Sequence, residues 1–302
     1  MNLAVLDPRR EVPSARMLME RALEPHVLLG MPHLNAHGLS ETWLMKELGH
    51  RHWLLLALRF GMENADFRTP DGGKAYASIC ATSLRDARLG IAVADDVLTI
   101  RSSLVRISRT QWSSRHRLSI RDMAIGEVEL VSAFVHRMIE GDNRSLARVG
   151  HWDAPAEVSS KSELAAFAAS FRRGTASGHL GMSPPSGPEP LSYRFQPSLL
   201  EEFNGAGLFY FAEFQAIANR AFETRFPEAG HAFSRRDVFF TGNIVPGEIV
   251  TVHIGSTRQM DSLRYTCKLV REDGEGIAFI FIEAAEARES GMPNPEVVSS
   301  TS

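Results

Sequence analysis

The sequence predicts an α+β protein in which one unit, a long helix followed by antiparallel strands that curve around it, occurs twice. Three observations carry this. Residues 203–226, FNGAGLFYFAEFQAIANRAFETRF, open with a glycine-broken turn and continue as a run in which Phe214, Ile217, Ala218 and Ala221 recur at helical spacings. Only strand-like runs follow, at residues 237–241, 248–254, 263–270 and 276–283. The pattern Asn-x-x-Gly-Leu made by Asn204, Gly207 and Leu208 recurs at Asn35, Gly38 and Leu39. That copy also precedes an aromatic-containing helix and a series of strand candidates, at residues 74–85, 97–108, 114–122 and 127–138.

In chain order, a short helix is expected over residues 15–23, between Pro13 and Pro25. Ser40 is expected to cap the first long helix, with Trp43, Leu44 and Leu48 on its apolar side, and Gly49 to end it. The first unit spans residues 25–140. Residues 141–190 read as a connection, with an alanine-rich helix over 162–171 and then a Gly-, Ser- and Pro-dense loop in the manner of a linker. His151, Trp152 and His179 in this stretch read as surface or packing residues. The second unit spans residues 191–287. In it Asn204 satisfies the turn, Gly205 and Gly207 allow close approach or positive φ, and Glu213, Gln215, Asn219, Arg220 and Glu223 lie along the borders of the helix or on its other side. Residues 288–302 form a tail that ends in small polar residues and is expected to fray.

At 302 residues the chain is long enough for two substantial cores. Its 44% hydrophobic and 23% charged content belongs to an ordinary soluble protein. A formal charge of -3, with basic pairs such as Arg9-Arg10 and Arg172-Arg173 too short to make a basic stripe, argues against a nucleic-acid partner. Cys80 and Cys267 lie far apart in apolar strand sequence, so buried thiols and a reducing cytoplasm are expected. The charged N-terminal stretch and the short apolar runs support neither export nor membrane insertion.

HExxH, paired cysteines, a Walker loop and GxSxG are all missing, which lowers the odds of a zinc protease, an NTPase or a serine hydrolase. The spacing of His33, His37, His50 and His52 makes no metal set, and no metal is expected. What remains is a turn opening a helix, whose free N–H groups can hold a carbonyl oxygen or an enolate. His37 beside the first turn is a candidate for substrate contact or proton transfer. In KAYASICATSLR, alternation puts Tyr76, Ser78 and Cys80 on one strand face and Ala77 and Ile79 on the other. A phenol at a cleft mouth can donate a hydrogen bond or act as a nucleophile.

Together PHLNAHGLSETWLMKELGHRHW, KAYASICATS, FNGAGLFYFAEF and VFFTGNIVPGEIVTV resemble the double hot-dog family of the bifunctional acyltransferase/decarboxylase of leinamycin polyketide biosynthesis, over roughly residues 30–283. The resemblance implies two tandem hot-dog units and an acyl-thioester cleft between them. It also implies an acyl-tyrosine, which lands on Tyr76, loss of carbon dioxide from a malonyl-type thioester, and delivery to an acyl carrier protein. Hydrolytic hot-dog enzymes often have an acid where Asn204 stands; an amide is no base, but it can donate to the thioester carbonyl.

The expected function is therefore acyl transfer, coupled or not to decarboxylation, on a malonyl- or methylmalonyl-type thioester. Tyr76, His37 and Asn204 are the catalytic candidates, and Asn35, Gly38, Leu39, Ser78, Gly205, Gly207 and Leu208 the substrate-binding ones. No cofactor is expected beyond CoA or phosphopantetheine as part of the substrate. Acyl-CoA and an acyl carrier protein are the expected partners, and a monomeric pseudo-dimer or a homodimer the expected assembly. A hot-dog thioesterase or dehydratase, and a noncatalytic acyl-thioester or carrier-binding module, are the alternatives. Arg106, Arg109 and Arg115 are weighed as attractors of a CoA phosphate, with plain surface charge the favoured reading.

Overall fold

The computed structural model describes residues 12–149, 161–186, 191–226, 233–259 and 262–284. Arg9, Arg10, His151, Trp152 and the tail 288–302 lie outside the described residues. In chain order the elements are α1 (Ala15–Ala22), β1 (His26–Leu28), β2 (Leu34–Asn35), β3 (Gly38–Leu39), α2 (Glu41–Arg59), β4 (Tyr76–Arg85), β5 (Val97–Arg106), β6 (Gln111–Ile120), β7 (Met123–Arg137) and β8 (Leu146–Arg148). There follow α3 (Glu163–Arg172), β9 (Leu191–Phe195), α4 (Phe211–Arg225), β10 (Phe233–Phe240), β11 (Val250–Gln259), β12 (Ser262–Val270) and β13 (Gly276–Ala284).

All strands except the β2–β3 pair join one antiparallel sheet, in the order β1-β5-β6-β7-β4-β10-β13-β12-β11-β9, with β8 added beside β7. Outward from its centre, β4-β7-β6-β5-β1 on one side matches β10-β13-β12-β11-β9 on the other, so the second half of the chain retraces the strand order of the first. The halves meet through a short ladder that pairs Ala81, Thr82, Ser83 and Leu84 with Phe239, Val238, Asp237 and Arg236.

Alternation along the strands sorts the core onto two faces. On one, Leu84, Val238, Phe240, Ile280 and Ile282 pack with Leu44, Leu48, Phe214, Ile217 and Ala218 of α2 and α4. On the other, Cys80, Ala81, Phe239 and Phe281 pack with Leu164, Ala168 and Phe171 of α3. Each fully buried Leu or Phe stabilises the fold by about 1.5–3 kcal/mol. Ser40 caps α2 as expected, its side chain accepting from Trp43 N, and Ser162 caps α3. Glu213 and Gln215, expected at the borders of α4 or on its other side, are buried as well.

Gly49 does not end its helix. α2 runs through it to Arg59, and a Cβ at position 49 would come within 2.6 Å of Phe211 Cε1 and 2.9 Å of Tyr210 Oη. The glycine is a notch that lets the start of α4 lie against α2. The 141–190 stretch also holds fixed structure. His179 is buried, with Nε2 2.6 Å from Asp237 Oδ2, and Ser83 Oγ donates to the other carboxylate oxygen at 2.5 Å. Burial raises the Asp237 pKa, but the His179, Arg235 and Ser83 contacts outweigh it and hold the carboxyl below its usual range. Asp237 thereby ties the loop after α3 to the central ladder.

Polar groups inside the first half form a continuous chain. Ser102 Oγ lies 2.8 Å from His116 Nδ1, and His116 Nε2 lies 2.9 Å from Ser114 Oγ. Ser114 Oγ lies 2.7 Å from His52 Nδ1, and His52 Nε2 lies 2.7 Å from Ser132 Oγ. Burial pushes both imidazoles down to about 3. Because their folded pKa is depressed below 6.5, the stability they contribute is complete above about pH 6.5 and falls away between there and about pH 3. The slope approaches about 1.4 kcal/mol per pH unit for each ring only well below pH 6.5, so the pair should cost about 3 kcal/mol between pH 6.5 and pH 5. Urea unfolding at pH 8, 6.5 and 5 measures this, and His52→Gln should roughly halve the slope; an unaltered slope would contradict the assignment.

Candidate active site

The cavity forms where β4 and β10 part. The ladder between them ends at Ala81 and Phe239, after which the chain beyond Phe240 leaves the sheet while the first residues of β4 continue along β7. The gap encloses a cavity of about 950 Å³, at the upper end of the ~300–1,000 Å³ typical of ligand sites. Residues 76–79 of β4 wall one side; Gly49, His50 and Trp53 of α2 and Phe209, Phe211, Phe214 and Phe240 close others. Because β10 does not cover β4 here, both strand faces reach the space, so Ala77 and Ile79 line it together with Tyr76 and Ser78. The expected alternation holds through Ile79, after which a register shift between Ile79 and Ala81 sends both Cys80 and Ala81 into the α3 core.

Tyr76 is half-buried, and the Arg137 guanidinium carbon sits 5.6 Å from its ring centroid. Arg137 is fixed in turn, donating to Asn143 Oδ1 at 2.7 Å and to the Ala206 carbonyl at 2.5 Å. Buried Asn143 donates to the Gly207 carbonyl at 2.7 Å and the Ile244 carbonyl at 2.8 Å. These bonds bind the end of β7 to the turn that carries Asn204. Asn204 Oδ1 accepts from Ala206 N at 3.0 Å and Leu208 N at 3.1 Å, leaving its Nδ2 without a partner among the described residues. A Cβ on Gly205 would meet nothing within 4 Å, so the cavity itself abuts that glycine. Gly207 takes φ +67°, the left-handed value the turn requires. It does not itself line the cavity, whereas Leu208 does.

α4 starts at Phe211, later than the glycine turn, with Tyr210 at its N-cap. The Tyr210 hydroxyl rests over the Gly49 notch. Burial pushes its pKa up to about 12, with the Glu213 and Glu47 carboxylates adding to the effect. The phenol therefore stays protonated, a hydrogen-bond donor on the cavity wall. No sequence signal singled it out, because its position depends on a glycine in another helix. The cavity carboxylates are already engaged: Asp66 accepts from Arg68, and Glu275 pairs with Arg271.

The first turn lies elsewhere. Asn35 borders a second cleft of about 390 Å³ with Asn219, Arg220 and Glu223 of α4, whereas Asn204 borders the main cavity with Gly49, His50 and Trp53 of α2. Each turn thus faces the helix of the opposite half. Locally they match: Asn35 Oδ1 accepts from His37 N at 2.8 Å. Gly38, at φ +110°, packs where a Cβ would fall 2.4 Å from the Leu89 carbonyl oxygen, and Leu39 is buried in the core. His37, Asn35, Gly38 and Leu39 are therefore not brought to Tyr76. Beside the smaller cleft at their end, the position that matches Ser78 is occupied. Ser78 stands three residues before the first ladder residue of β4, and Phe233 stands three before that of β10. The Arg236 guanidinium lies 4.2 Å from the Phe233 ring centroid, ion-pairs with buried Glu41 and donates to Asn219. Arg106, Arg109 and Arg115 do not line the cavity either, and Arg115 pairs with Glu127 and Glu129.

Among the described residues no group of three or more His, Cys, Asp or Glu side chains is placed to hold a metal, and no helix is long and apolar enough to cross a membrane. No protein-family model matches the chain, and no curated protein matches it by sequence. Solved structures share its fold. The putative oleoyl thioesterase of Lactobacillus plantarum superposes with a TM-score of 0.64 at 11% identity, over 87% of this chain and 96% of its own. The 12:0-ACP thioesterase of Umbellularia californica gives 0.59 at 9% identity, over 86% and 92%. An acyl-ACP thioesterase of Bacteroides thetaiotaomicron gives 0.58 at 9% identity, over 87% and 98%. The sheet and helices are accordingly those of a hot-dog fold.

Asn143→Ala should remove both donors that hold the Gly207 and Ile244 carbonyls and release Arg137. The expected loss is about 3 kcal/mol in urea unfolding, and a loss under about 0.5 kcal/mol would mean that the two halves are held at this point by other contacts.

Proposed function

We propose that this chain is an enzyme acting on an acyl thioester, built as two tandem hot-dog units with the acyl group held in the cavity between them. The observation that carries this is the convergence, in a fold shared with three thioesterases, of Tyr76 from one half and the Asn204 turn from the other on one space. The Asn204 Nδ2 and the first N–H groups of α4 are suited to polarise a thioester carbonyl, and the Tyr210 phenol is a third donor on the same wall. With Asp66 and Glu275 engaged by arginines, the phenols and His50 are the groups left to move protons.

Hydrolysis, in which water displaces the thiol, is the outcome the structural neighbours favour. A second reading, acyl transfer, rests on the site. Asn204 stands where an acid would activate water, and its side-chain oxygen is occupied within the turn. The Tyr76 oxygen would instead attack the carbonyl, the C–S bond would break, and the thiolate would leave with the phenol's proton. The resulting phenyl ester would pass its acyl group to an acceptor thiol. With a malonyl-type group, the electrons of the breaking C–C bond would enter the carbonyl as carbon dioxide departs, giving an enolate held by the same donors until it is protonated.

Both readings predict turnover that the same assay separates. The protein is incubated with acetyl-, octanoyl-, malonyl- and methylmalonyl-CoA, with and without a phosphopantetheinylated carrier, while free thiol, intact-protein mass and carbon dioxide are followed. Free thiol and free acid without a protein adduct mark hydrolysis. An acyl adduct that disappears in Tyr76→Phe marks transfer, with turnover reduced by about 100-fold or more. If no thioester in the panel is consumed, the proposal fails.

A further inference from the structure

The cavity is cationic in a chain whose formal charge is -3. Its lining contains His50, Lys74, Arg144, Arg148, Arg172 and Arg271 against Asp66 and Glu275. Arg144 pairs with Glu248, and Arg271 with Asp273 and Glu275. Asp66 is taken by Arg68. Lys74, Arg148 and Arg172 are left exposed, with no ion pair to a carboxylate among the described residues.

These three residues come from separate places in the chain. Lys74 precedes β4, Arg148 ends β8 and Arg172 ends α3. Strand register relates them to the phenol: Val135 of β7 is the partner of Tyr76 on one side and of Arg148 on the other. Directly opposed residues point to one face, so Arg148 lies on the Tyr76 side of the sheet about 10 Å away, two strand spacings. Arg172 Nη2 lies 3.9 Å from Cys80 Sγ, four residues along β4 from the phenol. Burial raises the Cys80 pKa while the Arg172 and Arg148 charges oppose it, so both guanidiniums act at the same stretch of β4.

Three cations with no carboxylate partner among the described residues, beside a cavity of this size, call for an anionic ligand. A thioester's carrier arm ends in phosphate, both in CoA and in the phosphopantetheine of a carrier protein, with the acyl sulfur at its other end. Guanidinium groups recognise phosphate oxygens through paired, charge-assisted hydrogen bonds. We propose that Lys74, Arg148 and Arg172 form the phosphate-binding site for a pantetheine-bearing ligand, holding that end of the arm while the acyl end reaches Tyr76. This deepens the acyl-thioester reading and rests on it for the identity of the arm.

Binding is tested without catalysis, by calorimetry with CoA, 4′-phosphopantetheine, pantetheine and a phosphopantetheinylated carrier protein. The expected result is that 4′-phosphopantetheine binds at least about tenfold more tightly than pantetheine. Combined Arg148→Gln and Arg172→Gln substitution should remove that difference and leave pantetheine binding unchanged. Tightening by CoA without tightening by the loaded carrier assigns the phosphate to the soluble thioester, and the reverse assigns it to the carrier; either supports the site. Equal affinity for phosphopantetheine and pantetheine, or undiminished phosphate dependence in the double variant, overturns it. Circular dichroism and urea unfolding of the variant confirm that it is folded. Phosphate-dependent binding with no turnover of any thioester would leave this site standing and defeat the enzymatic reading alone, so the two failures are separate.

Discussion

The short ladder between β4 and β10 is the constraint on which the rest of the structure depends. It is long enough to fuse a six-stranded and a five-stranded half into one sheet, and short enough to leave the start of β4 uncovered. A ladder extended past Ala81 would pair residues 76–79 with the chain beyond Phe240 and close the space that Tyr76 faces. Polar groups within the ladder secure it. Asp237 draws Ser83, His179 and Arg235 to one face of the junction. Arg236 draws Glu41 and Asn219 to the other. Charged and hydrogen-bonded partners buried in this way are costly to break singly, since each leaves an uncompensated group behind.

Like halves need not make like sites. Each Asn-x-x-Gly-Leu turn reaches across to the opposite helix and borders a cleft there, of about 390 Å³ at Asn35 and about 950 Å³ at Asn204. At one end Phe233, Arg236, Glu41 and Asn219 occupy the middle ground; at the other, small residues and a gap leave room. Gly49 contributes to that room by letting Tyr210 and Phe211 settle onto α2.

The architecture was largely legible in the sequence because it is written in periodicity. Helical spacing marked α4, runs of β-branched and apolar residues marked β4 to β7 and β10 to β13, and Ser40 and Ser162 marked helix starts. Tyr76, Ser78, Asn204, Gly205 and Leu208 do share one cavity. What local pattern does not encode is which turn meets which helix. Symmetry of motif suggested that His37 and Asn35 would join Tyr76, but cross-pairing of the halves sends them to the other end. Gly49 looked like a helix stop because its reason for being glycine is a ring more than a hundred and fifty residues away in the chain. Asn143, Arg148 and Arg172 were hidden in a stretch whose composition suggests a linker, and they matter through the backbone atoms and strands they meet.

The central ladder also bears on how the molecule comes to be folded. Ser83 and Asp237 are separated by 154 positions, so the pairing that unites the sheet is among the least local contacts available to the chain. Contacts of that kind are costly in loop entropy and slow to form. During synthesis the first half can complete β5, β6 and β7 around α2 while β4 waits as an open strand edge, a surface prone to pairing with other chains. The edge is covered only when β10 arrives, and the cavity does not exist before then. Completion of the cavity and covering of that open edge are thus reached in one late step.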